Sequence, residues 1–388
     1  MTPADRLPWR RLPLLLPGLL ALLSGLAAGL WRLGAWPADN VPLLLARAAA
    51  GHGALMVCGF FGTVISLERA VALGAHGRDL AWAWAAPAAA GLGTLLWLAG
   101  QAPAALVAWA LASLGLLAAS LWVGRRQPEG FVAVLILGAA AWLLGNGLLL
   151  AGRDLARVVP CWVAFLAFTI AGERLELSRL MPRPLSARRL FAAILAVLLA
   201  SLLGLAGAGP QAAPLAAAGW GAGWLALALW LLRHDVARRT VRQPGLPRYI
   251  ACSLLAGHVW LGLGGLLMLR DGALQPGTAA WDAALHAVLL GFVVSMVFGH
   301  APIVLPAVLR ISLVFRRRCY APLLLLHLSV LARVAGDLLG QPLARRLGAW
   351  GAALALLGFM ACMASLVRRR RPSGSAMRSP STSPSRAR

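Results

Sequence analysis

Five histidines lie within long apolar segments of this 388-residue chain: His52, His258, His286, His300 and His327. An ionisable side chain is costly to place in hydrocarbon, so such residues are the first candidates for function. Near neutral pH imidazole carries protons and binds iron or copper. The five histidines are therefore candidate ligands, and a hydrogen bond between helices is the alternative for each of them.

Two of these histidines are predicted to lie at matching depth. His52 is near the start of the second apolar segment, and His286 is near the start of the tenth. Both segments are predicted to run from the outer side inward, which places both side chains in the outer third. In a bis-histidine low-spin haem, two neutral imidazoles ligate the iron, one on each side of the porphyrin plane. This outer pair therefore predicts a haem site.

The other three histidines form a predicted inner group. His300 follows His286 by fourteen residues, or about 21 Å along a helix at 1.5 Å per residue. His258 and His327 lie on segments of opposite direction, at comparable depth. Three imidazoles at one level could bind copper. Hydrogen bonding within the bundle is the alternative.

Charged residues near the outer pair suggest supporting roles. Asp282 precedes His286 by one helical turn, where it could accept the Nδ1 proton or cap the helix at the outer surface. Arg333 could pair with Asp337 four residues later, or with a haem propionate.

The sequence around His52 resembles two related families. The run His52-Gly53-Ala54-Leu55-Met56 is similar to the helix of haem–copper oxidase subunit I that carries an axial haem ligand in a His-Gly-x-x-Met pattern. The NnrS family, haem- and copper-containing membrane proteins, is closer in length. Its early helix carries His-x-x-x-Met-x-x-Gly-Phe, matched by His52, Met56, Gly59 and Phe60.

A second motif extends the NnrS resemblance. The family's later helix carries His-Ala-x-x-x-Gly followed by Met, matched here by His286, Ala287, Gly291 and Met296. The resemblance implies axial haem ligation near the periplasmic face and a b-type haem, with copper as a further cofactor. The residues predicted to bind the cofactor are His52, His286, Met56, Gly291 and Asp282.

The departures from the oxidase pattern exclude two activities. Terminal oxidases and nitric oxide reductases have a second histidine two residues from the ligand in the tenth helix, where this chain has Ala284. They also use histidines on the sixth and seventh helices, and this chain has none there. No binuclear oxygen-reducing centre of that kind is encoded, and the few carboxylates in the spans do not support proton pumping.

The elements that must position these residues are membrane-spanning helices. Hydrophobic residues make up 60% of the chain, charged residues make up 12%, and the mean hydropathy is +0.78. Such a composition does not suit a soluble domain. The apolar segments are continuous rather than alternating, which favours helices over a β-barrel. The fold predicted is an all-α polytopic bundle of about twelve helices, similar to haem–copper oxidase subunit I.

Segment boundaries follow from the arginine clusters and the Pro/Gly breaks. The predicted spans are 13–31, 49–70, 80–100, 103–124, 131–152, 158–175, 189–209, 212–232, 249–270, 281–305, 319–338 and 347–367. One integral domain over 1–371 and a disordered basic Ser/Pro tail over 372–388 are expected.

The charge distribution predicts orientation. All 36 basic residues are arginine, and the net charge is +24. Most of them lie in the termini and in alternate loops, which predicts that both termini are cytoplasmic. The resemblance to NnrS implies that the membrane is a bacterial cytoplasmic (inner) membrane. The excess is therefore expected to contact anionic lipid headgroups, and nucleic acid is not an expected partner.

The cysteines and tryptophans point to no further cofactor. The five cysteines are scattered and form neither CxxC nor CxxCH, which argues against zinc, iron–sulfur clusters and covalently attached haem. The 16 tryptophans are expected mainly in the two membrane interfaces.

Two classes of function fit this sequence. The first is a haem-binding membrane protein resembling NnrS, acting in the response to nitric oxide or in membrane redox chemistry. Its expected partners are a diatomic gas such as nitric oxide and an electron-transfer partner. The second is a small-solute permease without a cofactor.

Overall fold

The computed structural model describes residues 11–34, 41–74, 78–179, 181, 183–209, 213–271 and 275–367. Twelve helices are long and apolar enough to cross a membrane. In chain order they are Leu12–Arg32, His52–Gly74, Leu80–Leu98, Ala102–Arg126, Gly130–Leu150, Leu155–Leu177, Leu185–Ala208, Pro214–His234, Leu246–Asp271, Ala279–Leu309, Arg317–Leu338 and Pro342–Leu366. The predicted all-α polytopic bundle and its twelve spans are confirmed, and the predicted tail lies outside the described residues.

Consecutive spans pack against each other in antiparallel pairs, as short connections require. Because twelve spans return the chain to its starting side, the first span begins and the last span ends at one end of the bundle. We call this the inner end and the opposite one the outer end. Among the described residues, the extended pairing is a single antiparallel bridge between Leu313 and Val367 at the inner end.

The sixth span, Leu155–Leu177, is the most enclosed of the twelve. In its most apolar 18-residue stretch, 78% of the residues are buried, compared with 33% in the first and in the seventh span. Its sequence explains this position, because Phe165, Phe168 and the small residues between them fill space on every side of the helix. A helix that is apolar all round is stable when neighbouring helices cover it.

Tryptophans contribute to the core of the bundle. Seven of the fourteen tryptophans that the structure describes are buried, and Trp109, Trp142 and Trp224 are at most 1% exposed. Glycines make room for them. A Cβ on Gly62 would lie 2.5 Å from the Trp142 ring, so the second span approaches the fifth at a position that only glycine fits. The prediction that tryptophans lie mainly in the two membrane interfaces stays a prediction, because burial in the bundle does not fix the depth of a side chain.

Two spans contain π-helical segments. In the second span Leu55–Phe61 is π-helical, and in the tenth span Ala287–Val294 is π-helical. Each segment begins within three residues after one of the outer histidines, His52 or His286. A π-helical turn accommodates an additional residue in a helix and occurs frequently at functional sites.

Candidate functional site

A cavity of about 540 Å³ lies at the outer end of the bundle. Its walls come mainly from the first, second, sixth, tenth and twelfth spans, with Trp97 of the third span and the loop 276–278. The lining is mostly apolar and has a few charged or titratable side chains. These are Arg32, His52, Asp282, His286, Arg333 and Arg345. Its volume falls within the range of about 300–1,000 Å³ that is typical of small-molecule sites.

His52 is oriented by the first span. Its Nδ1 lies 2.8 Å from the carbonyl oxygen of Gly25. Because a carbonyl only accepts, Nδ1 carries the proton in this contact, and Nε2 keeps its lone pair for another ligand. Gly29 lets the two spans approach, since a Cβ there would lie 3.1 Å from Cε1 of His52.

His286 has the same arrangement, through a different partner. Its Nδ1 lies 2.8 Å from the backbone carbonyl oxygen of Asp282, whereas the nearer carboxylate oxygen is 3.6 Å away. The prediction that the Asp282 side chain accepts this proton is therefore wrong, because the main chain one turn earlier is closer. Asp282 does not cap the helix either, since the hydroxyl of Thr278 accepts from the backbone N–H of Trp281.

The structure therefore brings His52 and His286 to one cavity in equivalent states. Both rings donate Nδ1–H to a backbone carbonyl, and both side chains line the same space. The contact to a carbonyl fixes the tautomer and the ring orientation, as it does for histidines that bind metals. This arrangement provides two Nε2 atoms that could ligate one metal centre.

An ion network closes one side of the cavity, and we call it the outer ion network. It consists of Asp282, Arg333, Asp337 and Arg345. Arg333 lies 2.5 Å from a carboxylate oxygen of Asp282 and 3.5 Å from Asp337, and Arg345 also pairs with both carboxylates. The predicted local pair between Arg333 and Asp337 is confirmed. The network joins the tenth, eleventh and twelfth spans, and Arg32 adds a third guanidinium to the cavity lining.

Of the two remaining residues predicted to bind the cofactor, Met56 and Gly291, only the first lies on the cavity. Met56 lines the cavity. Gly291 is absent from its lining, because it packs against Trp260: a Cβ on Gly291 would lie 2.6 Å from the Trp260 Cβ. The role predicted for Gly291 therefore shifts from contact with a cofactor to contact between the ninth and tenth spans.

Two of the three inner histidines, His258 and His300, lie at the buried ion pair of Arg174 with Asp235, and the third does not. His300 Nε2 lies 3.0 Å from a guanidinium nitrogen of Arg174, and His258 Nε2 lies 3.8 Å from Asp235. His327 accepts from the indole N–H of Trp260 at 3.0 Å. Within the described ranges, no three His, Cys, Asp or Glu side chains are grouped so that they could hold a metal ion. The structure thus does not assemble the predicted copper trio, because His327 contacts Trp260 while the other two contact a buried ion pair.

Sequence reasoning missed a buried amide beside the cavity. Asn146, which is 2% exposed, accepts from the indole N–H of Trp162 at 3.0 Å and donates to the Trp109 carbonyl at 2.9 Å. Cys58 adds a weaker contact to the same amide oxygen at 3.2 Å. Since Trp162 lines the cavity, this network holds one wall in place. The signal available was a lone Asn within an apolar span, which is as unusual there as a histidine.

Comparison with known sequences places the chain in a family. The profile of the family described as "Domain of unknown function (DUF8744)" matches residues 11–368, which include all twelve spans and both outer histidines. No curated protein matches the chain, and no solved structure does. Because the match covers most of its length, the chain belongs to the DUF8744 family.

Proposed function

We propose that this integral membrane protein binds a haem in the outer cavity, and that the Nε2 atoms of His52 and His286 would hold its iron. The observation that carries the proposal is the matched state of the two imidazoles. Each is held through Nδ1 by a backbone carbonyl, so each has Nε2 available on the same cavity. Two such nitrogens are one of the ligand sets that hold a low-spin haem iron.

The remainder of the cavity fits the group. The apolar walls, including Met56, Trp97 and Trp162, suit a flat and mostly apolar macrocycle. The guanidinium of Arg32, which forms no ion pair among the described residues, suits a carboxylate of a haem. Because the chain has no CxxCH motif, the haem would be held without thioether bonds, as a b-type haem is. Copper is not part of the proposal, since the inner histidines are not grouped.

A haem bound here would supply one-electron transfer, or binding of a diatomic gas such as nitric oxide if one imidazole is released. The residues of the chain would orient the ligands and exclude water. The outer ion network and the apolar spans form the walls that would surround the bound group. The resemblance to NnrS favours a role in the response to nitric oxide, with an electron donor that reaches the outer end.

The test is the absorption spectrum of the full chain purified in detergent after expression with haem available. We expect a Soret band and a low-spin spectrum, together with a pyridine haemochrome of b type. The variants His52→Ala and His286→Ala should each lose the low-spin signature, and the double variant should lose the band. His327→Ala is the matched control, because it removes a histidine of a neighbouring span that does not line the cavity.

Two results would contradict the proposal. One is a stable, colourless wild-type protein after haem supplementation, which would favour the cofactor-free permease. The other is a low-spin band that persists in both single variants, which would assign the haem to another site.

A further inference from the structure

A second cavity, of about 410 Å³, lies at the inner end of the bundle, and we call it the arginine pocket. It is formed by the loop between the sixth and seventh spans, the end of the eighth span and the short helix Ala237–Thr240. Five of its nine lining residues are arginine: Arg183, Arg233, Arg238, Arg239 and Arg242. The arginine pocket is separate from the proposed haem site, because the two cavities share no lining residue.

The positive charge of the pocket is not balanced by its own residues. Asp235 is the one acidic residue in the lining, and its carboxylate is occupied. One oxygen lies 3.1 Å from Arg174, and the other accepts from the backbone N–H of Ala237 at 2.8 Å. The pocket therefore presents five guanidiniums against one carboxylate that is already paired with a buried arginine.

The guanidiniums that have hydrogen-bond partners are held by neutral acceptors. Arg183 donates to the hydroxyl of Ser178. Arg238 donates to the carbonyl of Arg233 at 3.0 Å, and Arg239 contacts the sulfur of Met181 at 3.7 Å. Across the described residues, none of the five lining arginines forms an ion pair. These contacts orient the side chains and leave their charge available.

We infer that the arginine pocket binds a phosphate-bearing anion. A planar guanidinium fork matches phosphate oxygens in pairs of hydrogen bonds, and arginine clusters are accordingly typical phosphate sites. A concave pocket of this volume encloses a headgroup or a small phosphorylated compound. General attraction to a membrane surface needs only scattered surface charge, whereas here the arginines converge on one cavity.

The surroundings of the pocket suit a phosphate that is attached to a lipid. Leu185 follows the lining residue Pro184 and is 58% exposed, and Leu229 lies one turn before Arg233 and is 59% exposed. Both leucines belong to membrane spans, so an acyl chain could lie along them while the headgroup enters the pocket. A soluble phosphate compound would use the same guanidiniums without these leucines.

The experiment measures the thermal unfolding midpoint of the full chain by tryptophan fluorescence. In one arm the protein is in phosphatidylcholine nanodiscs with increasing phosphatidylglycerol, and in the other it is in pure phosphatidylcholine with increasing inorganic pyrophosphate. A ligand that binds the folded state raises the midpoint with concentration. Stabilisation by phosphatidylglycerol alone identifies a lipid headgroup, and stabilisation by pyrophosphate identifies a soluble phosphate compound.

Two charge-matched variants decide whether the pocket is responsible. Arg239→Gln/Arg242→Gln removes two exposed lining arginines and should weaken binding roughly a hundredfold, since each removes a charge-assisted contact. Arg125→Gln/Arg126→Gln removes two exposed arginines at the inner end of the fourth span and should leave binding unchanged. If the double variant does not fold, the two single variants take its place.

Any of three results would overturn the inference. The first is that neither phosphatidylglycerol nor pyrophosphate raises the unfolding midpoint of the wild-type chain. The second is that the pocket variant keeps the full stabilisation, and the third is that the control variant loses as much stabilisation as the pocket variant. The last result would mean that the basic surface as a whole attracts the anion.

Discussion

At the scale of single residues, the main chain and the side chain of Asp282 have different roles. Its carbonyl orients His286, and its carboxylate pairs with Arg333. The charge near the cavity is thus fixed by the outer ion network, and the imidazole is fixed by the main chain. A substitution of the Asp282 side chain should consequently affect stability more than the orientation of His286.

The outer ion network allows a prediction about stability. Arg333 is 7% exposed and pairs with Asp282 and Asp337, so Arg333→Met removes the cation that joins the tenth and eleventh spans. We expect the free energy of unfolding in mixed micelles to fall by about 3 kcal/mol, because breaking a buried pair leaves a carboxylate less compensated.

The matched control is Arg270→Met. Arg270 also pairs with an aspartate, Asp271, but its side chain is 56% exposed. Exposed pairs contribute little to stability, so this variant should unfold like the wild type. Equal destabilisation by the two substitutions would show that the outer ion network adds nothing beyond a surface pair.

The same scale shows what the sequence could reveal about the site. His52 and His286 were predictable because a titratable side chain stands out within an apolar segment. Their Nδ1 partners were not fully predictable. The acceptor for His52 is a backbone carbonyl of another span, at Gly25, and backbone carbonyls carry no sequence signal.

The contact between Cys319 and Cys362 was not predictable either. The two residues are far apart in the chain, yet their sulfurs are 2.9 Å apart because the last two spans pack closely.

At the scale of elements, the π-helical segments link the two outer histidines. A π-helical turn takes up one additional residue, so the regular helix on each side of it still directs the same face toward its neighbours. A deletion inside such a segment can therefore be absorbed by a return to regular α-helix. A deletion in a regular part instead rotates one flank against the other by about 100°, at 3.6 residues per turn.

This difference predicts the outcome of two single-residue deletions in the tenth span. Leu290 lies within the π-helical segment Ala287–Val294, and Val297 lies in the regular helix that follows. Both are half-buried aliphatic residues. We expect the chain without Leu290 to fold, with a melting midpoint lowered by several degrees, and the chain without Val297 to yield no folded protein.

The measurements are the yield of monodisperse protein in one detergent and the melting curve of each chain that can be purified. Equal tolerance of the two deletions, or a larger loss without Leu290, would contradict the role given to the π-helical segment. Haem binding by the chain without Leu290 is a separate readout, which reports whether the wide turn after His286 also shapes the cavity.

The spans themselves were predictable to within a few residues, because twenty apolar residues in a row have few alternatives to a membrane helix. The π-helical turns were not. Residues 55–61 and 287–294 are as apolar as regular parts of the same spans, and what distinguishes a wide turn is packing against neighbouring helices. Helix rotation was also invisible, which is why Gly291 was predicted on the cavity and lies against Trp260 instead.

At the scale of the whole molecule, the two ends of the bundle differ in chemistry. The outer end holds a mostly apolar cavity with two oriented imidazoles, and the inner end holds the arginine pocket above a buried pair of Arg174 with Asp235. The positive-inside rule predicts that the arginine-rich end faces the cytoplasm. An anion taken up by the pocket would then come from the cytoplasmic side, and a gas or electron donor would reach the haem from the opposite side.

This orientation can be tested with two cysteines introduced by the same change, Gln243→Cys at the inner end and Gln275→Cys at the outer end. Both glutamines are exposed, whereas four of the five native cysteines are buried and Cys252 is half-buried. With a membrane-impermeant maleimide, we expect Gln275→Cys to be labelled in intact cells and Gln243→Cys only after permeabilisation. The wild-type chain sets the background. The reverse pattern would contradict the predicted orientation. It would mean that the outer cavity faces the cytoplasm and that the arginine distribution does not indicate the topology of this chain.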